Sequence, residues 1–246
     1  MGDMKHGFFT SNGLKWIAII AMAIDHVAYV MTLSLPPFIV MHLIGRFTMP
    51  TMCFLMAEGF YHTRSHRQYA TRLLIFACIA QVPFSYLTTG NLFITRIGPG
   101  TFNVLFCLLA GFCALWTIKS SKNKAIKIVS VTLCIALSAF CDWPIFGVLW
   151  ILAFGLNRDS FKRKVLWFAV FALIMVPSAV ALGGGDLRDL VQASVFLTLP
   201  LLYLYNGKRA GGSAPAWLTN KWIFYVFYPA HIAVIGFLSH GLGLLQ

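Results

Sequence analysis

Nine long apolar runs, separated by short polar stretches, leave this chain few ways to fold. They fall at roughly 14–34, 37–60, 72–89, 101–118, 125–140, 144–157, 164–182, 190–205 and 221–240. Crossing a bilayer takes about 20 residues. Only 11% of the 246 residues are charged, against about 25% in soluble domains, too few to coat a water-facing surface. This excludes an ordinary soluble enzyme, a disordered chain and a small secreted disulfide scaffold. The sequence predicts an all-α, polytopic transmembrane helix bundle of about nine spans, forming one integral membrane domain over 1–246. The first run is long, carries Asp25-His26 and lacks an A-x-A cleavage site, so it reads as a retained span. Gly183–Gly185 and Gly211–Ser213 read as loops. The six cysteines form no C-x-x-C pair and sit almost entirely within apolar runs, as small apolar residues. The sequence holds no metal-ligand pattern.

The placement of the charges orients the bundle. With the N-terminus inside, sixteen of the 19 Lys and Arg fall on inner segments. They are Lys5 and Lys15; Arg64, Arg67 and Arg72; Lys119, Lys122, Lys124 and Lys127; Arg158, Lys162, Arg163 and Lys164; Lys208, Arg209 and Lys221. Arg96 and Arg188 fall outside, and Arg46 lies within the second run. Cytoplasmic loops are enriched in Lys and Arg, so the expectation is a cytoplasmic N-terminus and an odd number of spans. The net charge of +12 is then topological, with attraction to the anionic lipid bilayer as a by-product, and nucleic acid is not an expected partner.

Ionisable residues inside a bilayer are costly and mark sites or pathways. Asp25 and His26 lie in the first span, Arg46 in the second and His231 in the ninth. At about 1.5 Å per residue, His26 lies about 16 Å from Lys15, His231 about 15 Å from Lys221, and Arg46 about 14 Å from Pro37. In a core of about 30 Å, three spans place polar groups near one level. His suits proton transfer near neutral pH or can carry an acyl group. The fixed fork of Arg suits a carboxylate, a phosphate or a developing oxyanion. Structural readings stand beside these: an Asp25–Arg46 ion pair and an interhelical hydrogen bond from His231.

Two further groups flank this level. Toward the inner face lie Glu58, Tyr61, His62, Thr63, Arg64, His66, Arg67 and Arg72, with Glu58 in reach of Arg72. They read either as a solvated basic loop or as a dock for a phosphate-rich cytosolic donor such as a CoA ester. Toward the outer face, Asn103 is either a helix cap or a site residue, and Asp142 either turns the chain or faces the site. Pro50 and Pro83 predict kinks.

At these residues the sequence resembles the TraX family. The matching runs are Leu14-Lys15 through Asp25-His26, Ile44-Gly45-Arg46-Phe47 with Pro50, and Ala57-Glu58-Gly59-Phe60-Tyr61-His62-Thr63-Arg64. Tyr69, Arg72-Leu73-Leu74, Gln81-Val82-Pro83-Phe84, Asn103-Val104-Leu105-Phe106 and Asp142 with Gly147-Val148-Leu149 follow. Lys221 with Phe224 through Tyr228-Pro229-Ala230-His231 completes the likeness, which covers most of the chain in order. The run Phe47-Thr48-Met49-Pro50-Thr51 departs from the aromatic-Pro-aliphatic-aromatic pattern more usual there.

The resemblance implies a multi-pass protein of the bacterial inner membrane that transfers an acetyl group from cytosolic acetyl-CoA to the N-terminus of a processed conjugative pilin. Asp25, His26, Arg46 and His231 are then the expected catalytic residues. His26 serves as base or acyl carrier, Arg46 stabilises an oxyanion or orients Asp25, and His231 is a second acid–base or substrate binder. Glu58, His62, Arg64, Arg72, Asn103 and Tyr228 are the expected substrate-binding residues. Acetylation of an envelope-glycan hydroxyl, or a non-enzymatic transport or pilus-assembly role, would use the same buried charges.

Overall fold

The computed structural model describes residues 7–31, 34–182, 184, 187–208 and 215–243. Lys5, Arg209, Gly183, Gly185 and the 211–213 loop lie outside the described residues, as does the side chain of Arg188. Among the described residues the chain is helical, without strands. Helices α1 (Ser11–Val30), α2 (Leu35–Arg46), α3 (Thr48–His62), α4 (His66–Thr89), α5 (Val104–Ser120) and α6 (Lys124–Ser138) come first. Then come α7 (Phe146–Leu156), α8 (Phe161–Leu182), a 3-10 segment (Leu187–Leu197), α9 (Thr198–Tyr203), α10 (Ala216–Thr219) and α11 (Lys221–Gly236), which ends in a π-turn (Phe237–Gly241).

Every expected apolar run falls on one of these helical stretches, but only five stretches are long and apolar enough to cross a membrane. They are Ser11–Val30, Leu35–His62, His66–Thr89, Phe161–Leu182 and Lys221–Gly241. Geometry explains the shortfall. α7 has 11 residues, about 16 Å at 1.5 Å per residue, half the hydrocarbon thickness of about 30 Å. It is instead the most enclosed helix, buried continuously from Val148 to Gly155 except for Leu149. Phe54 of α3 meets Phe154 of α7 edge-on at 5.6 Å, and Phe154 stacks on Phe168 of α8 at 5.8 Å. Around this centre, α5 packs on α4, α6 and α7, while α1 packs on α2, α3 and α11.

The Leu35–His62 stretch is broken rather than straight, and Pro50 is the cause. It has no N–H to bond the Arg46 carbonyl, and its ring crowds that carbonyl. Helix α2 therefore ends at Arg46 and α3 begins at Thr48. The hydroxyls of Thr51 and Thr198 donate to the Phe47 carbonyl at 2.8 and 3.2 Å, and that of Thr48 donates to Ala18 at 3.2 Å. Non-helical backbone at membrane depth persists only when buried and paired in this way. Pro83 differs. It sits inside α4, which runs on through it, and with Pro229 of α11 it lines an apolar groove between the two helices.

Basic ends gather on one face of the bundle. Phe9 N donates to Leu204 O and Asn206 N to Phe9 O, both at 2.9 Å. The ammonium of Lys15 lies over the Phe224 ring, and those of Lys119 and the Arg158 guanidinium lie over the Tyr61 ring. On the opposite face Phe102 pairs with Cys141, and Asp142 N donates to Phe102 O at 2.8 Å. In a background with the native cysteines replaced, single cysteines at positions 122 and 208 are expected to react with a membrane-impermeant thiol reagent from one side. A cysteine at position 96 is expected to react from the other. Labelling of all three from the same side contradicts this arrangement.

Candidate functional site

Asp25 and His26 are neighbours on α1, so their side chains leave the helix about 100° apart. They face different helices. Asp25 faces α2, where its Oδ1 accepts from His42 Nδ1 at 2.7 Å and lies 3.3 Å from Arg46 Nη2. His42 and Arg46 are four residues apart and share one face of α2. Arg46 Nη2 is also 3.2 Å from His42 Nδ1. That nitrogen spends its proton on Asp25 and has no lone pair to offer, so the carboxylate holds both partners. A Cβ on Gly45 would fall on the Asp25 side chain; only glycine lets α2 approach α1 closely enough for the pair to form. The Arg46 guanidinium lies 5.8 Å from the centre of the Trp143 ring. Its Nε is buried without a hydrogen-bond partner among the described residues. Asp142, next to Trp143, lies within electrostatic reach of Arg46 and Asp25.

His26 faces α11. Its Nδ1 is 3.0 Å from Nε2 of His231, whose Nδ1 donates to the Phe227 carbonyl at 2.7 Å. The Phe227 ring stacks on His231 at 4.7 Å, and Tyr228 meets it edge-on at 5.7 Å. The Tyr228 hydroxyl is buried without a hydrogen-bond partner among the described residues.

Asp25, His26, Arg46 and His231 thus converge on α1 from both sides. His42, 4% exposed, belongs to the cluster and was not among the residues singled out from sequence. Its signal was the four-residue spacing to Arg46 inside an apolar run. Among the described residues no group of three or more His, Cys, Asp or Glu could hold a metal ion.

The inner group is arranged differently from the expectation. Glu58 faces Lys164 of α8 at 3.6 Å and His62 at 3.8 Å, not Arg72. Lys164, counted from sequence among the loop charges, is buried beneath the Phe54 ring. Arg72 lies against Tyr69 and Tyr225. His62 and Arg64 are exposed. Arg158 and Lys119 flank the Tyr61 ring at 4.6 and 5.8 Å, and neither has an ion pair among the described residues. Such unneutralised cations on an aromatic platform suit an anionic ligand.

Asn103 caps α5, its Oδ1 accepting from Leu105 N at 3.0 Å. Its Nδ2 donates to Ala77 O at 2.8 Å and Gln81 Oε1 at 2.9 Å. The side chain is fully buried, so these bonds tie α5 to α4.

Gly45→Ala is expected to force α1 and α2 apart and cost about 1–3 kcal/mol, whereas Gly98→Ala, with nothing within 4 Å of the added methyl, should be neutral. Thermal unfolding in detergent measures both, and equal midpoints would contradict the close approach.

Comparison with known proteins supplies the lineage. A relative from Dichelobacter nodosus, called probable fimbrial assembly protein FimC, serogroup H1, is 30% identical over 238 residues, covering 92% of this chain and 94% of its own. An uncharacterized protein of Rickettsia prowazekii (strain Madrid E) is 27% identical over 143 residues, 58% of this chain and 47% of its own. No solved structure matches. The family described as TraX protein matches residues 10–239, a span that contains the Asp25–His42–Arg46 set and the His26–His231 pair, and the chain belongs to that family.

Proposed function

We propose that this protein is a membrane-embedded acetyltransferase that moves an acetyl group from cytosolic acetyl-CoA to the N-terminal amine of a processed pilin. The observation that carries this reading is the meeting, inside membrane-length helices, of Asp25–His42–Arg46 with His26–His231. Ionisable groups inside membrane-length helices are costly and mark function, and this set supplies what acyl transfer to an amine needs. Imidazole nitrogens accept a proton. The unspent Nε–H of Arg46 is a donor for the oxyanion that develops at the acyl carbon. Asp25 keeps His42 and Arg46 in place. The pilus context is supported by TraX membership and by the name of the Dichelobacter relative.

The wider arrangement follows the charges. We place the N-terminus in the cytoplasm of a bacterial inner membrane, because the Lys and Arg crowd one set of loops. Tyr61, Arg158 and Lys119 then face the cytosol, where the phosphates of acetyl-CoA would meet them, with His62, Arg64 and Arg72 nearby. A processed pilin, itself a membrane peptide, presents its amine from the outer side, toward Asp142 and Tyr228.

A second reading, a non-enzymatic assembly factor, is favoured by the word assembly in the name of the relative. One assay separates them. Vesicles holding the protein, given labelled acetyl-CoA and a processed pilin peptide, are expected to label the peptide. His26→Ala at matched protein level is expected to lower the rate at least about 100-fold. Pilus assembly that survives His26→Ala, with no peptide labelled by the wild type, favours the assembly reading.

A further inference from the structure

Away from the basic ends, two cavities meet beside α4 and α11. The first is an apolar groove of about 790 Å³ between the helices, lined from α4 by Ile79, Val82 and Pro83 and from α11 by Pro229, Ala230 and Ala233. Both helices are of membrane length, so the groove lies along their membrane-crossing part. The second is a polar pocket of about 340 Å³ at the end of α4, where Ser85, Thr88, Thr89, Arg96 and Thr101 are among the lining residues. The two adjoin. Tyr86 and Leu92 line the groove, and their chain neighbours Ser85 and Phe93 line the pocket.

The pocket holds one cation and an excess of acceptors. The Arg96 guanidinium has no ion pair or hydrogen bond among the described residues. The hydroxyls of Thr88, Thr89 and Thr101 donate to the carbonyls of Phe84, Ser85 and Gly98 at 2.9, 2.8 and 2.7 Å. Each has spent its proton and can meet a ligand only as an acceptor. Helix α4 also ends here. The carbonyl of Tyr86 accepts from Gly90 N, that of Leu87 from His240 Nε2 and that of Thr89 from Asn91 Nδ2. The Thr88 carbonyl has no partner among the described residues. A helix C-terminus favours positive charge, so the end of α4 suits an ammonium, while the guanidinium of Arg96 suits a phosphate.

We propose that the two cavities form one binding site for a zwitterionic phospholipid of the phosphatidylethanolamine class. An acyl chain lies in the groove, the phosphate meets Arg96, and the primary ammonium sits at the end of α4. The combination decides the occupant. An apolar helix would fill the groove and bring nothing to Arg96. A free phosphate would meet Arg96 and leave the groove empty. A phosphatidylglycerol head would bring negative charge, with none of positive sign, to the end of a helix that disfavours it. A choline head has no N–H, so the threonine oxygens and the Thr88 carbonyl would stay unbonded. Pockets between membrane helices that carry a basic side chain are known to take lipid head groups. The site is independent of the acetyltransferase reading.

The test titrates the full-length protein in detergent with phospholipids of matched chains and counts bound lipid by native mass spectrometry. Arg96 and Ala233 are exposed, so substitutions there need no repacking, and variants are compared at equal unfolding midpoints. Wild type is expected to hold phosphatidylethanolamine about tenfold more tightly than phosphatidylcholine, the worth of one charge-assisted hydrogen bond. Arg96→Gln should weaken that binding about tenfold, and Arg96→Lys should restore most of it. Ala233→Trp fills the groove and should displace the lipid whatever its head group. Thr88→Val should narrow the preference for ethanolamine over choline and leave choline binding unchanged. Glycerophosphoethanolamine, which has no chains, should not compete. Phosphatidylglycerol or phosphatidylcholine bound as tightly as phosphatidylethanolamine overturns the assigned head group. Binding unmoved by Arg96→Gln or by Ala233→Trp, or competition by the chain-free head group, overturns the joined site. Wild type that retains no lipid overturns the proposal and leaves the acetyltransferase reading untouched.

Discussion

A carboxylate inside a membrane-length helix has to be neutralised where it stands, and much of the structure around Asp25 follows from that requirement. Its partners are His42 at 2.7 Å and Arg46 at 3.3 Å, both on α2. The pair is half-buried, and removing one partner would leave the other charge uncompensated within a membrane-length helix. The pair therefore fixes the distance and rotation of α2 against α1. Gly45 permits the approach, since any side chain there would occupy the space of Asp25. The Pro50 break lets α2 end just after Arg46 and turn into α3, which leaves to pack on α7.

That break would be expensive without compensation, because a free carbonyl in hydrocarbon has no water to bond. Three threonines brace the break. The Phe47 carbonyl, which already accepts from Thr51 N at 3.2 Å, also accepts from the hydroxyls of Thr51 and Thr198, and Thr48 ties the start of α3 to α1. Thr198 comes from the far end of the chain, so the 3-10 segment and α9 are recruited to seal the same point. The hydroxyls in the Phe47–Thr51 run thus have a structural use in this protein.

The adjacency of Asp25 and His26 divides the cluster. One side chain turns to α2 and the other to α11, so a single helix holds an acid–histidine–arginine set and a histidine pair back to back. The Phe227 carbonyl orients the second pair, and the stacked Phe227 ring limits the rotation of His231. At the basic end, Glu58 and Lys164 clamp α3 to α8, while Arg158 and Lys119 have no ion pair among the described residues and flank Tyr61.

The membrane character of the chain, its helical class and four members of the polar cluster were legible in the sequence, for a general reason. Charges are rare in apolar runs, so Asp25, His26, Arg46 and His231 announced themselves, and their similar depths followed from the rise of a helix. His42 escaped because a single histidine among apolar residues carries no signal until its spacing to Arg46 is read as a shared face. The number of membrane-length helices also escaped. Hydropathy marks a helix as apolar without distinguishing lipid from protein around it, and α7 is apolar because it is the core. Partner choice needed the tertiary structure throughout: Glu58 with Lys164 rather than Arg72, Asn103 with Gln81, Asp25 with α2 and His26 with α11. These pairings join residues up to 205 positions apart, and local sequence sets only the direction in which a side chain leaves its helix. Which helix waits there is decided by packing.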